Sequence, residues 1–238
     1  MQRLRPTPQE ADLAELGAEL DVIETAVQVG ATDLGALGFW RAVARIKRDP
    51  VLVHRFAEQA GRIDTAAFRA GVRWRAPVWV GNVLMLGVVA LGVAAIVLAG
   101  IWTGTWAGLA LIAAGVAWSV GVHLPTHWVY GRFAGIAYTD SFLGGPPPPR
   151  PGLKTDYATY LLADPAARAW FHASGALATK IAPFIAVAIS PATNAPGWAV
   201  AVTAAFGVLT ILTDVLFSGK RSDWKKFKRE RAVARERR

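Results

Sequence analysis

PVWVGNVLMLGVVALGVAAIVLAG, residues 77–100, is a stretch without any ionisable side chain. A helix of this length can span the hydrocarbon core of a bilayer, which is about 30 Å thick and needs about 20 apolar residues. Over the whole chain 53% of the residues are hydrophobic and 18% are charged, whereas about 25% are charged in typical soluble domains. The sequence therefore predicts an integral membrane protein.

Three later segments are also long and apolar. We predict an all-α polytopic membrane protein whose transmembrane domain, residues 76–218, contains four helices at about 77–100, 105–132, 169–189 and 197–217. The remaining parts are a small cytosolic helical module (1–75), a Pro-rich cytosolic loop (137–166) and a basic cytosolic tail (219–238).

The basic residues predict the orientation of the chain. They cluster before the first segment, between the second and third, and after the fourth, whereas the turns 101–104 and 190–196 contain neither Lys nor Arg. The positive-inside rule then places both termini in the cytoplasm, in a bacterial-type plasma membrane. The net charge of +9 is explained by this topology, so no nucleic-acid partner is predicted. The tail, with Trp224 and Phe227 among its basic residues, is suited to lying on anionic lipid.

The first 75 residues have a helical pattern. Apolar residues recur every three or four positions at Leu13, Leu16, Leu20, Ile23 and Val27. This stripe is predicted to pack the module's helices together, and a partner protein or a homo-oligomer is the alternative. Three further helices are predicted to begin near Asp33, Asp49 and Asp64, and the run 144–152, which is rich in Pro, is predicted to be an extended polyproline spacer.

His123 and His127, near the inner end of the second segment, are candidate metal ligands. A spacing of four puts both imidazoles on one helical face, and ionisable groups at membrane depth are costly and usually functional. Asp214, in the fourth segment, is predicted to lie at the same depth, because it is as far from the outer surface as His123 at 1.5 Å per residue. The chain has no Cys, so thiolate ligands are excluded. Two imidazoles and a carboxylate suit a divalent metal, with zinc expected, and leave a fourth position open for water.

The region around these residues resembles the site-2 proteases, a family of intramembrane zinc metalloproteases with a helical HExxH signature. His123, His127, Arg132, Gly135 and Ile136 match the family's intervals, and AYTDSFLGGP (137–146) resembles its extended segment. Residues 174–179 resemble, more loosely, its Gly-Pro-x-x-Asn helix, and Asp214 falls where the family supplies its aspartate ligand. The resemblance covers about residues 106–217. It implies a metal-activated water that attacks a peptide bond in a single-span membrane protein or peptide substrate.

The sequence departs from the family's pattern at its catalytic base. The glutamate that follows the first histidine in the family is Leu124 here, which cannot accept a proton. Pro125 also predicts a kink beside the ligands. Candidate replacements for the base are His172, Asp140 and Lys180. Lys180 has three alternative roles: pairing with Asp214, binding a substrate carbonyl, or snorkelling outward.

Two other functions remain open from the sequence. A catalytically inactive pseudoenzyme could use the same scaffold as a membrane-embedded binding or adaptor protein, and Leu124 favours this alternative. A small transporter could use His123, Asp214 and Lys180 as a polar relay, although four helices enclose little space. The small residues around Ser174 resemble the nucleophile setting of rhomboid proteases, but close helix packing explains them more simply.

Overall fold

The computed structural model describes residues 8–144, 149–217, 219 and 222–237. The centre of the predicted polyproline spacer, residues 145–148, lies outside these residues. The elements are, in chain order, α1 Pro8–Gln28, α2 Phe39–Ile46, α3 Pro50–Gly71, β1 Trp74–Ala76, α4 Val78–Ile101, α5 Gly104–Gly121, α6 His123–Phe133, β2 Tyr138–Gly144, β3 Arg150–Thr155, α7 Tyr157–Leu162, α8 Pro165–Ile189, α9 Gly197–Leu216 and α10 Asp223–Glu236.

Four helical stretches are long and apolar enough to cross a membrane. They are Val78–Ile101, Gly104–Phe133, Pro165–Ala192 and Gly197–Leu216. The prediction of an integral membrane protein with four spans is confirmed at this level of length and composition.

The second span is divided in two. Helix α5 ends at Gly121 and α6 begins at His123, with Val122 between them in helical conformation. Pro125 lacks an amide hydrogen and cannot bond to the carbonyl of Gly121, so the division falls where the proline predicts an irregularity. His123 and His127 therefore belong to a short helix of their own.

The fold is mostly helical, as predicted, and also contains a small three-stranded antiparallel sheet that was not part of the predicted fold class. Strand β2 lies in the middle and pairs with β1 on one side and β3 on the other. Strands β2 and β3 flank the Pro-rich run, where proline and glycine exclude helix. The segment expected to be extended from the family resemblance is β2, whereas β1 and β3 were not predicted. Among the described residues, β3 forms an edge of the sheet.

The apolar stripe of α1 packs within the chain. Leu16, Leu20 and Ile23 are buried in a core that continues through α2 and α3 to α7. Asp49 caps α3 as predicted, because its side chain accepts a hydrogen bond from the amide of Val51 at 2.7 Å. The helix predicted to begin at Asp64 is wrong: α3 runs through this position, and the buried Asp64 forms an ion pair with Lys154 of β3.

The basic tail forms α10, which packs against α8. Phe227 is buried against Ala169 and Ala173, and its ring stacks on Trp224 with centroids 5.1 Å apart. The aromatic residues predicted to face lipid thus contact the protein, while basic residues such as Lys228 are exposed. Contact of this exposed basic face with lipid stays a prediction.

Candidate metal site

Two histidines of α6 and one aspartate of α10 bring their ligand atoms together. The Nε2 atoms of His123 and His127 lie 3.5 and 3.3 Å from Oδ2 of Asp223. The imidazole centroids are 4.7 Å apart, as a spacing of four on one helical face predicts. In the part of the chain that the structure describes, this is the one group of three such side chains that could hold a metal ion, with ligand atoms within 4.8 Å of one another.

Asp214, the predicted carboxylate ligand, is not a member of this group. Its Oδ2 atom lies 3.2 Å from Nζ of Lys180 on α8, which is one of the three roles considered for this lysine. Distance along the helix determines only the level of Asp214 in the membrane, and the rotation of α9 turns its side chain towards Lys180. The carboxylate beside the histidines comes instead from Asp223, in the tail segment where no ligand was predicted.

The hydrogen bonds of His127 assign its tautomer. Nδ1 lies 2.8 Å from the carbonyl oxygen of Phe171, which can only accept a hydrogen bond. Nδ1 therefore carries a proton, and in the neutral tautomer Nε2 presents a lone pair to Asp223. A ligating histidine commonly donates its other N–H to a backbone carbonyl in this way.

His123 has the same tautomer for a related reason. Its Nδ1 atom lies 3.1 Å from Oγ1 of Thr179, whose hydroxyl donates to the carbonyl oxygen of Gly175 at 2.9 Å. With that hydroxyl hydrogen engaged, the Thr179 oxygen must accept from Nδ1–H of His123. The Nε2 lone pair of His123 then also points to Oδ2 of Asp223.

A cation would hold the three ligand atoms together. Two imidazole lone pairs facing one carboxylate oxygen repel it unless a second proton or a metal ion intervenes. A proton on one Nε2 atom would satisfy that ring and Asp223, whereas one metal ion would satisfy all three groups. The donor set therefore fits a divalent metal.

Gly175 of α8 makes room for His127. A Cβ atom at this position would lie 2.4 Å from both Cδ2 and Nε2 of the His127 ring, a distance that real contacts exclude. The small residues of this segment were predicted to allow close helix packing. Here the close approach accommodates a candidate ligand.

Charges around Asp223 keep it ionised. Burial raises the pKa of its carboxyl, and the positive charge of Lys226 lowers it. Nζ of Lys226 lies 3.1 Å from Oδ1 of Asp223. Asp223 is thus available as an anionic ligand through Oδ2.

His172 of α8, a candidate base, lies next to the group. Nδ1 of His172 is 3.8 Å from Oδ1 of Asp223, and its Nε2 is 2.9 Å from the hydroxyl of Tyr160. Because that hydroxyl donates to Oε1 of Glu230 at 3.0 Å, the Tyr160 oxygen accepts from Nε2–H of His172. The lone pair of His172 is therefore on Nδ1, the atom nearer to Asp223.

The other residues singled out from the sequence lie apart from the ligand atoms. Lys180 is paired with Asp214. Asp140 lies in β2, and its Oδ2 atom is buried without a hydrogen-bond partner among the described residues. Leu124, at the position of the family's glutamate, is 6% exposed.

The histidines and Asp223 line a cavity of about 500 Å³. Residues of α6, β2, β3, α8, α9 and α10 form its walls, so the edge strand β3 borders the candidate site. A second, almost wholly apolar groove of about 330 Å³ lies between α8 and α9. The two spaces share Ala176, Lys180 and Asp214.

Comparison of the chain with protein-family models, curated proteins and solved structures found no match in any of the three. The class of protein is therefore assigned from the fold and the site alone. The protein is a mostly helical membrane protein, with four candidate spans, that carries a His-His-Asp group able to hold a metal ion.

Proposed function

We propose that this protein is a membrane-embedded zinc hydrolase of the site-2-protease kind, with the metal bound near the cytosolic face by His123, His127 and Asp223. The observation that carries the proposal is the convergence of two assigned Nε2 lone pairs on one carboxylate oxygen. Imidazole ligands favour zinc and other transition metals over magnesium or calcium.

The two N···O distances in the ligand group are compatible with zinc. Zn–N and Zn–O bonds of about 2.1 Å at a tetrahedral angle imply a separation of about 3.4 Å between ligand N and O atoms. The two N···O distances are 3.5 and 3.3 Å. Three protein ligands are the pattern of catalytic zinc sites, in which the fourth position is left for water.

Zinc bound at such a site lowers the pKa of a coordinated water to about 7 and so supplies a nucleophile for hydrolysis. His172 takes the role of the absent glutamate in this proposal, because its Nδ1 lone pair faces the ligand group and Tyr160 holds its other nitrogen. Nδ1 would accept the proton of the attacking water and return it to the leaving amine of a cleaved peptide bond.

Two features near the cavity favour a membrane peptide as the substrate. The edge strand β3 can pair with an extended peptide by strand addition. The apolar groove between α8 and α9 adjoins the cavity and can take apolar side chains that arrive from the lipid.

One observation favours a second candidate function, that of a catalytically inactive binding or adaptor protein. Leu124 is buried where the family has its base, so the usual acid–base group is absent. The two candidates share the metal site and differ in whether His172 serves in catalysis.

Zinc analysis of the protein purified in detergent tests the metal site. The His123→Ala, His127→Ala double variant should lose bound zinc, because two of the three ligands are removed. His54→Ala is the matched control, since His54 is the remaining histidine and is exposed on α3. Equal zinc content in the double variant and the wild type would refute the proposal.

A cleavage assay with single-span peptides in detergent separates the two candidates. His172→Gln should keep its zinc and lose about 10²-fold or more in turnover, the usual size of a general acid–base contribution. Wild-type protein that binds zinc and cleaves no peptide, while a Leu124→Glu variant does, would favour the inactive scaffold.

A further inference from the structure

We propose that Glu230 is a positioning residue of the metal site, which fixes α10 so that Asp223 reaches the two histidines. The inference rests on the proposed function. It extends the site to an ion cluster whose central residue, Glu230, lies outside both the family resemblance and the group of ligands.

Glu230 lies at the centre of a buried ion cluster. It is 5% exposed, its Oε1 is 2.5 Å from Nζ of Lys47, and its Oε2 is 2.7 Å from Nε of Arg168, which is 0% exposed. Tyr160 donates a further hydrogen bond to Oε1. Burial raises the pKa of Glu230, but Lys47 and Arg168 lower it to about 2. The carboxylate thus links α10 to three separate elements.

The geometry of α10 connects this cluster to the metal ligands. Glu230 and Asp223 are seven residues apart, so they share one face of the helix, about 10 Å apart along its axis. Phe227 lies on the same face between them and packs on α8. The position of Asp223 is therefore determined by contacts along the whole buried face of α10.

Lys47 makes the arrangement depend on the N-terminal helices. It is the C-cap residue directly after α2, and its side chain is 14% exposed. Arg168, by contrast, belongs to α8, the helix that also carries Gly175 and His172. Glu230 thus holds the carboxylate ligand in register both with α8 and with the N-terminal module.

Glu230 also fixes the orientation of His172. Its carboxylate accepts the hydroxyl hydrogen of Tyr160, which leaves the Tyr160 oxygen to accept from Nε2 of His172. Loss of the carboxylate charge would leave Lys47 and Arg168 buried without an anion, and such uncompensated charges are strongly destabilising. The expected response is that α10 separates from α8 and withdraws Asp223.

Competition with a zinc chelator tests the inference in the full-length protein in detergent. Glu230→Gln should bind zinc about 10-fold or more weakly than wild type, the cost typical of lost contacts behind a metal ligand. Glu236→Gln is the matched control: Glu236 is on the same helix but pairs with Arg48 on the surface, at 3.5 Å, and should leave the affinity unchanged.

The visible spectrum of Co²⁺-substituted protein distinguishes positioning from general loss of stability. If Glu230 positions Asp223, the Glu230→Gln spectrum should match that of Asp223→Asn, in which the carboxylate ligand is absent. Lys47→Met keeps the Arg168–Glu230 pair, so it remains informative if Glu230→Gln does not fold, and it should shift the spectrum in the same direction.

The outcomes separate this inference from the proposed function. A wild-type spectrum in both Glu230→Gln and Lys47→Met, with wild-type zinc affinity, would overturn the role of Glu230 and leave the metal site intact. Wild-type protein that binds neither zinc nor Co²⁺ would overturn the metal site itself.

Discussion

At the scale of single residues, the candidate site depends on the absence of a side chain as much as on the ligands. Gly175 lets the His127 ring lie directly against α8, where Nδ1 meets the carbonyl of Phe171. That hydrogen bond directs the Nε2 lone pair towards Asp223. A single methyl group at position 175 would therefore alter the geometry of a ligand without touching its chemistry.

Gly175→Ala should reduce zinc affinity about 10-fold or more, because its Cβ would lie 2.4 Å from the His127 ring. Alanine is otherwise the better helix former, by about 1 kcal/mol, so helix propensity cannot explain a loss. Gly87→Ala in α4 is the control, since among the described residues no atom beyond the adjoining backbone of α4 lies within 4 Å of a Cβ added there. Equal affinities of Gly175→Ala and Gly87→Ala in chelator competition would contradict the account.

The sequence predicted two members of the His-His-Asp group and missed the third. The spacing of His123 and His127 suffices to place both rings on one helical face. Asp214 was predicted from its depth in the membrane alone, and depth does not determine the direction of its side chain, which faces Lys180. Ser222 was a usable signal for Asp223, because serine is a common N-cap and so marks the start of a helix in the tail. In the structure the Ser222 side chain accepts a hydrogen bond from the amide of Lys225.

At the scale of elements, α10 is where sequence and structure differ most. A basic helix with interleaved aromatic residues has the same pattern whether its apolar side meets lipid or protein. Phe227 packs on α8. Glu230, whose carboxylate would be repelled by anionic lipid, pairs instead with Lys47 and Arg168. The acidic residues within this basic run, Glu230 among them, therefore indicated that the tail docks onto the protein.

The docking of α10 should weaken in acid. The pKa of Glu230 is depressed from 4.5 to about 2, so its contribution is fully present above about pH 4.5 and is lost as pH falls through 2. A depression of this size corresponds to about 3 kcal/mol. Amide hydrogen exchange of α10 should lose protection over this window in wild type, relative to Glu230→Gln. Equal pH dependence in the two proteins would show that Glu230 does not anchor the helix.

At the scale of the whole molecule, four apolar helices and the distribution of basic residues were readable from the sequence, because length and charge act locally. The small sheet was only partly predictable: β2 lies in the segment expected to be extended, whereas its pairing with β1, which is far away in the chain, has no local pattern. The ion pair between Asp64 and Lys154 could not be predicted either, because the two residues are far apart in the chain. Asp64 alone has the pattern of a helix cap.

The predicted topology can be tested with single cysteines, because the chain contains none. A membrane-impermeant maleimide should label Ala192→Cys in intact cells, since this exposed residue lies in the turn between α8 and α9. Glu58→Cys in α3 and Ala232→Cys in α10, both exposed, should react only after lysis. Labelling of either one in intact cells would contradict cytoplasmic termini.

The zinc content of Asp223→Asn and Asp214→Asn, each purified beside wild type, tests most directly that a carboxylate from the tail completes the site. Both substitutions remove one negative charge from residues lining the same cavity, so they are matched. We predict that Asp223→Asn loses bound zinc, whereas Asp214→Asn keeps the wild-type zinc-to-protein ratio. Retention of zinc by Asp223→Asn together with its loss from Asp214→Asn would contradict this account.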